Sequence, residues 1–510
     1  MTEEHDPRPR AAGRESLRRE IKAGFRRALG LTALGTLVPG AGLTQTRHKK
    51  TGWLLVVVAI GMAVVLAVAL VTRGAMKTAL SIVSSPQTLQ VAAIALLIGG
   101  AVWAMSIILT AMSTRPASLD RSRTRLLAAF TTLMVAFVAG GSYKVAEYAT
   151  VTKDTINDLF VSTPEGVNTD APKIVKGDDP WAKTPRINVL LLGSDAGVGR
   201  IGTRTDSMIV ASIDTKTGRT VLISLPRNLM RVPIPVDNPL YAKYPNGFGV
   251  PSCDRGPNEC LLNAIWAEAD DYKKAHPEAW PGEKSPGRVT VREVIGETLN
   301  LKIDHTVVID LRGFSQLVDA MGGIDINVKL SANGTKLPIG GHSDGRGGVV
   351  GETGYFEPGF QHLNGYQALW YARTRAADDD YSRMQRQRCV VRAVLDQVNP
   401  ASMVTKYVQI AKIAKDNIYT DVPGQNLAAY VELVERVQGA QITSVAISPS
   451  SGINTAHPDF ALIRRLVQKA INSPAPTAAP TSTSTSAPTS TATTTPKPTT
   501  SSTTKNADEC

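Results

Sequence analysis

The sequence predicts a layered α/β domain held outside the cytoplasm behind three membrane spans. Two patterns predict it. Within residues 51–143, the stretches Gly52–Val71, Val91–Met112 and Leu126–Tyr143 are uncharged and apolar, each near the roughly 20 residues that cross a bilayer. Residues 186–472 instead alternate short Val, Ile and Leu runs with helix-period segments, separated by Gly, Pro and Asn/Asp turns, as strands and helices packed in layers do.

The first fifty residues carry eleven Lys/Arg against five Asp/Glu, half of the net +12 of the 510-residue chain. A basic chain suits nucleic acid, but no zinc-finger or RNP-like motif is present and the excess precedes an apolar span, so the charge reads as membrane topology and nucleic acid is not expected as a partner. Residues 1–28 read as a polar, disordered arm without the apolar core of a cleavable signal. Leu29–Leu43 is apolar but short and broken by Pro39-Gly40, which suggests an interfacial or re-entrant segment. Arg47, Lys49 and Lys50 precede the first span and Arg115, Arg121, Arg123 and Arg125 crowd the loop before the third, against only Arg73 and Lys77 in the loop between the first and second. Basic residues stay inside, so the N-terminus is expected in the cytoplasm and everything after Tyr143 beyond the cell membrane.

Residues 144–185 read as a polar tether to the folded unit. Ile187–Leu192, Met208–Ile213 and Thr220–Leu225 are apolar runs that suit central strands covered on both faces. If these strands alternate in direction, Asp195, Arg204, Asp206 and Arg227 meet along one sheet edge. Two carboxylates beside arginines, without His or Cys, favour a hard cation such as Mg²⁺ over zinc. The intervening AGVGRIGTRTDS is neither a P-loop nor G-x-G-x-x-G and reads as a connecting turn. Further on, helices are expected over Val291–Leu299 and Phe314–Met321, and strands over Thr306–Ile309 and Ile324–Val328. Residues 331–360 are Gly-rich and read as a mobile surface insertion. Helices near 401–416 and 425–438, a strand over Ile442–Ile447 and a last helix over Asp459–Ile471 complete the unit.

Tyr371–Arg388 holds five arginines and three aspartates in eighteen residues, a density unsuited to an apolar core. Asn364 reads as the cap of a short helix leading into an extended segment that places Arg373 and Arg375 on one face. Ser382 and Gln385 read as a capping box for the next helix, with Val391, Val394, Leu395 and Val398 as its apolar stripe. Arg383 and Gln387 then share a face near its start. Free backbone N–H groups flanked by forked guanidiniums suit a phosphate or pyrophosphate better than a solvated charged helix start would require.

Cys253 and Cys260, in the turn-rich PSCDRGPNEC beyond the membrane, are expected to form a disulfide. Cys389 reads as a small buried hydrophobe. Residues 473–510 are almost wholly Pro, Thr, Ser and Ala and read as a disordered tail, a candidate O-glycosylated or wall-penetrating stalk.

LNGYQALWYARTRAADDDYSRMQRQR, residues 363–388, resembles the C-terminal signature of the LytR-CpsA-Psr family, ligases that move glycopolymers from a polyprenyl pyrophosphate carrier onto peptidoglycan. GSD, TRTDS and SLPR resemble the family's N-terminal motifs, in the same order, and the likeness extends over essentially all of 186–472. The family usually has an acidic residue after the Pro-Arg pair, where this chain has Asn228. The resemblance implies a central mixed sheet between helical layers and a membrane-anchored phosphotransferase with a polyprenyl-pyrophosphate-linked glycopolymer as donor and peptidoglycan as acceptor. On that pattern Asp195 and Asp206 bind Mg²⁺ or Mn²⁺, either serving as base, Arg227 joins them in catalysis, and Arg204, Arg227, Arg373, Arg375, Arg383 and Gln387 hold the phosphates. It also implies an apolar cleft for the prenyl tail. A pyrophosphatase would use the same residues, whereas a non-enzymatic wall-binding or regulatory protein would not need the convergent Asp and Arg sets.

Overall fold

The structure, a computed structural model, describes residues 8–73, 86–159, 174, 179–195, 204–253, 256, 259–343, 349–375, 378–397, 407–423 and 426–473. The expected turn at 196–203, the first part of the 401–416 helix, the tail beyond 473 and Cys510 lie outside these residues. The chain forms two compact units, divided after Asn157.

The first unit consists of helices α1 (Arg8–Leu37), α2 (Lys49–Arg73), α3 (Pro86–Thr114) and α4 (Arg121–Leu159). Three segments, Lys49–Thr72, Gln87–Thr114 and Arg121–Asp154, are long and apolar enough to cross a membrane, with mean hydropathy 3.2, 2.4 and 1.7. Large apolar side chains on them, such as Val65 and Phe137, face outward and exposed, which in water would be unfavourable and in lipid is not.

Three expectations need correction here. From Arg8 onward the N-terminal arm is helical, and the apolar Leu29–Leu43 is continuous with it, forming the end of α1 and a following 3₁₀ turn, Ala41–Gln45. It folds back on α3, with Ala28, Leu31 and Thr32 buried and the Trp103 indole donating to the Gly35 carbonyl at 2.8 Å. Packing supplied what the length of the apolar stretch alone could not, because a helix is stable once its apolar stripe is covered. Finally, α4 runs on to Leu159, so residues 144–159 of the expected tether are helical.

The second unit is built on a six-stranded sheet. Its strands are β1 (Arg186–Ser194), β2 (Thr205–Asp214), β3 (Thr220–Leu225), β4 (His305–Asp310), β9 (Ile418–Thr420) and β10 (Ile442–Ala446), in the order β10-β3-β2-β1-β4-β9. β1, β2 and β3 are antiparallel neighbours, while β4 joins β1 and β10 joins β3 in parallel, so the sheet is mixed.

Both faces are covered. Leu190, Leu192, Met208, Val210 and Ile223 point into a large core with helices α5 (Ile265–Ala275), α6 (Pro286–Leu299) and α12 (Phe460–Asn472). Ile209, Ala211 and Leu222 point the other way, against Val391 and Leu395 of α9 (Asp380–Gln397) and Val437 of α11 (Leu427–Gln438). This is the expected α/β/α layering, and two-faced burial explains why these strands read as unbroken apolar runs. α10 (Tyr407–Asn417) follows α9 in the chain.

The strand expected at Ile324–Val328, β5, forms but leaves the central sheet. It pairs with β8 (Gly359–Leu363) in a separate two-stranded ribbon. The Gly-rich 331–360 region contains the antiparallel pair β6 (Pro338–Ser343) and β7 (Val349–Tyr355), the latter largely exposed at the surface. Glycine there supplies left-handed turns, as at Gly340 and Gly341 with φ 79°, so high glycine content marked tight backbone geometry.

Between β4 and β9 lie α7 (Leu311–Met321) and α8 (Gly365–Arg373). Asn364 caps α8 in a capping box with Gln367. A Cβ at Gly365 would collide with the Ser315 carbonyl, so glycine is what lets α8 close on α7.

Candidate functional site

The strand ends assemble one edge of the site. Antiparallel pairing sets Ser194 opposite Thr205, and the Asp195 N–H donates to the Arg204 carbonyl at 3.1 Å while Asp195 Oδ1 accepts from the Arg204 N–H at 2.9 Å. β3 returns beside β2, bringing Arg227 to Asp206 at 3.1 Å. The expected convergence of Asp195, Arg204, Asp206 and Arg227 is therefore present, and strand direction produces it.

The second edge comes from α8 and α9. Arg373 is the last residue of α8, and the extended backbone begins only at Thr374; Arg373 and Arg375 nevertheless both reach the site. The start of α9 is capped by Asp379, whose carboxylate accepts from the Ser382 N–H at 2.8 Å. Ser382 thus lies inside the helix and the expected Ser382/Gln385 box is replaced, because Asp379 reaches the free amide three residues on as an N-cap does. Arg383 and Gln387 share a face, one turn apart, as their spacing requires.

Between these edges lies a cavity of about 410 Å³. Its depth is apolar: Leu191, Ile209, Val307 and Ile309 from the sheet, Phe314, Leu317 and Val318 from α7, and Val390, Val391, Val394 and Leu395 from α9. Its polar wall carries Asp195, Asp206, Arg373, Arg375, Arg383 and Gln387. The apolar stripe on α9 thus faces partly a cavity rather than packed core.

Asp380, which the sequence reading passed over, ties the two edges together. Its Oδ1 lies 2.9 Å from Arg383 Nη2, 3.3 Å from Arg227 Nε and 3.9 Å from Arg375 Nη1. Its helical spacing of three from Arg383 was the available signal. Asn263, 3.4 Å from Asp206 Oδ1, had none, being brought in by a 3₁₀ turn, Leu262–Ala264, distant in sequence.

Arg383 is 3% exposed, yet its Nε and Nη2 make no hydrogen bond; Nη2 is near Asp380 without being aimed at it. Burial lowers its pKa, with the Asp380 and Asp206 carboxylates opposing that shift. For Asp206, burial pushes the carboxyl up, but the guanidinium of Arg227, then Arg383 and the Asn263 amide, outweigh it and leave its pKa below the usual carboxylate value. Asp206 is held ionised.

Two expected site residues are placed differently. Arg204 is off the cavity wall and pairs with Glu259 at 3.2 Å, and Arg227 contacts Asp206 and Asp380 behind that wall. An arginine beside a carboxylate in a solvent-exposed loop pairs with it when no anion competes, which the sequence could not weigh without knowing that Glu259 folds alongside. Among the described residues no three His, Cys, Asp or Glu side chains are grouped to hold a metal unaided. The two carboxylates on the cavity wall fit a cation such as Mg²⁺, which is commonly held by one or two carboxylates and completed by substrate phosphate and water. Cys253 and Cys260 are joined in a disulfide. Cys389 is buried, as expected.

The chain is similar to several known proteins. TagU of Oceanobacillus iheyensis, described as a polyisoprenyl-teichoic acid–peptidoglycan teichoic acid transferase, is 25% identical over 293 residues, 57% of this chain and 74% of that one. Biofilm regulatory protein A of Streptococcus mutans is 29% identical over 252 residues, 48% of this chain and about half (52%) of that one. The crystal structure of Bacillus subtilis TagV matches at 25% identity with a TM-score of 0.38, covering 57% of this chain and 98% of that one. The model of the LytR_cpsA_psr family matches residues 149–468, well over half of the chain and all of the elements that build the cavity, and the protein belongs to that family.

Proposed function

We propose that the protein is a membrane-anchored phosphotransferase that moves a glycopolymer from a polyprenyl pyrophosphate carrier to peptidoglycan. The observation that carries this reading is the cavity: an apolar channel that ends in two carboxylates and a cluster of arginines has the two chemistries of a prenyl pyrophosphate in one site. Relatives named as teichoic acid transferases support the transfer, and three apolar helices support the anchor.

The prenyl chain occupies the apolar depth, where burying each methylene contributes about 0.8 kcal/mol. Arg373, Arg375, Arg383 and Gln387 hold the pyrophosphate, whose charge grows on the leaving oxygen as the bond breaks. A sugar hydroxyl of peptidoglycan attacks the phosphorus bearing the glycopolymer. A new P–O bond forms, the P–O–P bond breaks, polyprenyl monophosphate leaves, and the hydroxyl proton passes to a carboxylate. Asp195 and Asp206 would hold Mg²⁺, which would supply Lewis-acid charge neutralisation. Asp206, kept ionised by Arg227, suits a cation ligand better than a base, since a carboxyl held below its ordinary pKa is the weaker proton acceptor. Arg227 then fixes Asp206, and Arg204 joins the phosphates by exchanging Glu259 for the anion. The basic-residue asymmetry supports a cytoplasmic N-terminus and a site outside.

The test is to incubate the full-length protein in detergent with a lipid-linked sugar donor and peptidoglycan fragments. A phosphodiester-linked product and free polyprenyl monophosphate are expected. Release of glycopolymer phosphate into water alone would replace transferase by pyrophosphatase, and no turnover of either kind would overturn the enzymatic reading.

A further inference from the structure

Arg386 lies on α9 with Arg383 and Gln387 but off the wall of the apolar cavity. It is 6% exposed and fully engaged behind that wall. Its Nε donates to the Tyr371 carbonyl at 2.9 Å, its Nη2 to the Thr374 carbonyl, and its Nη1 pairs with Asp378 Oδ2 at 2.5 Å. Asp378 Oδ1 in turn accepts from the Ala332 N–H at 2.9 Å. These anchors bracket the two cavity arginines: Arg373 lies between Tyr371 and Thr374, and Arg375 between Thr374 and Asp378.

We propose that Arg386 is a positioning residue, which with Asp378 as counter-ion staples the α8–α9 connection to α9 and so aims Arg373 and Arg375 into the cavity mouth. The inference rests on the reading above, in which that mouth holds a pyrophosphate. Arg373, Arg375 and Arg383 are like charges on one wall, and Asp380, 2.9 Å from Arg383 but 3.9 Å from Arg375, balances their mutual repulsion only in part. A planar guanidinium satisfies two carbonyls and a carboxylate at once and holds the connection against that repulsion; a lysine ammonium has no such fork. Holding the arginines in place before the anion arrives spares the ordering cost on binding.

The experiment compares binding of a prenyl pyrophosphate and of the prenyl alcohol of equal chain length to the full-length protein in detergent, for the parent, Arg386→Lys and the milder Asp378→Asn. The parent should prefer the pyrophosphate. In both variants that preference should fall at least tenfold while affinity for the alcohol stays at the parent value, because the apolar walls are untouched. Adding Arg375→Ala should then cost less in the Arg386→Lys background than in the parent, since the side chain is already misplaced. Folded variants that keep the full preference would overturn the inference. So would equal loss of alcohol binding, or failure of both variants to fold, either of which makes Arg386 a purely structural residue. A parent without any preference for the pyrophosphate would instead sink the reading of the mouth itself.

Discussion

Replacing Arg383 with alanine should separate activity from stability. The guanidinium is buried beside the cavity with Nε and Nη2 lacking aligned acceptors, and each unsatisfied buried donor costs the folded state about 1–3 kcal/mol. A bound pyrophosphate would supply those acceptors. Two charge-assisted hydrogen bonds at ~1.5–3 kcal/mol each amount to about 3–6 kcal/mol, or roughly a hundredfold to ten-thousandfold in rate if they are made in the transition state. Removing the side chain leaves Asp380 paired with Arg227 at 3.3 Å, so no carboxylate is stranded. The expected variant therefore melts within a few degrees of the parent while kcat/KM for transfer falls at least a hundredfold. Arg383→Lys should recover only part of the loss, because it restores charge without the fork. Transfer assays on full-length protein, with thermal melts on the same samples, test both halves. Parent-like transfer by Arg383→Ala, or a melt lowered by ten degrees or more, would refute the reasoning, since the first denies the anion contact and the second makes Arg383 a structural residue.

Other expectations concern topology, metal and pH. A reporter active only beyond the membrane should work when fused after Ala182 and be silent near Ser118; the opposite pattern would reverse the orientation. EDTA should abolish transfer and Mg²⁺ or Mn²⁺ restore it, with Asp195→Ala and Asp206→Ala weakening the rescue, and undiminished activity of the metal-stripped double variant would remove the cation from the chemistry. Asp206 has a folded pKa below its ordinary value of 3.8, so its ionisation stabilises the fold above that pH and the contribution is lost as pH falls through the lower folded value. Asp206→Asn should accordingly flatten the decline of Tm below about pH 4, and identical acid profiles for parent and variant would show that the Arg227 contact contributes nothing to stability.

The central sheet was legible because its strands are buried on both faces: Ile187–Leu192, Met208–Ile213 and Thr220–Leu225 are continuous apolar runs, and antiparallel order alone carried Asp206 to Arg227. The spacing of Arg383 and Gln387 likewise fixed a shared helix face, since helical geometry is local. Tertiary structure decided what depends on chain segments far apart. It turned Leu29–Leu43 into the covered end of a helix, moved β5 out of the sheet into a ribbon with β8, and gave the Gly-rich region strands. It also sorted arginines that look alike in sequence: Arg383 faces the cavity, Arg386 grips the backbone behind it, and Arg204 pairs with Glu259. Charge and spacing are written in the sequence, but the partner a guanidinium finds depends on which distant carboxylate or carbonyl the fold brings within about 3 Å.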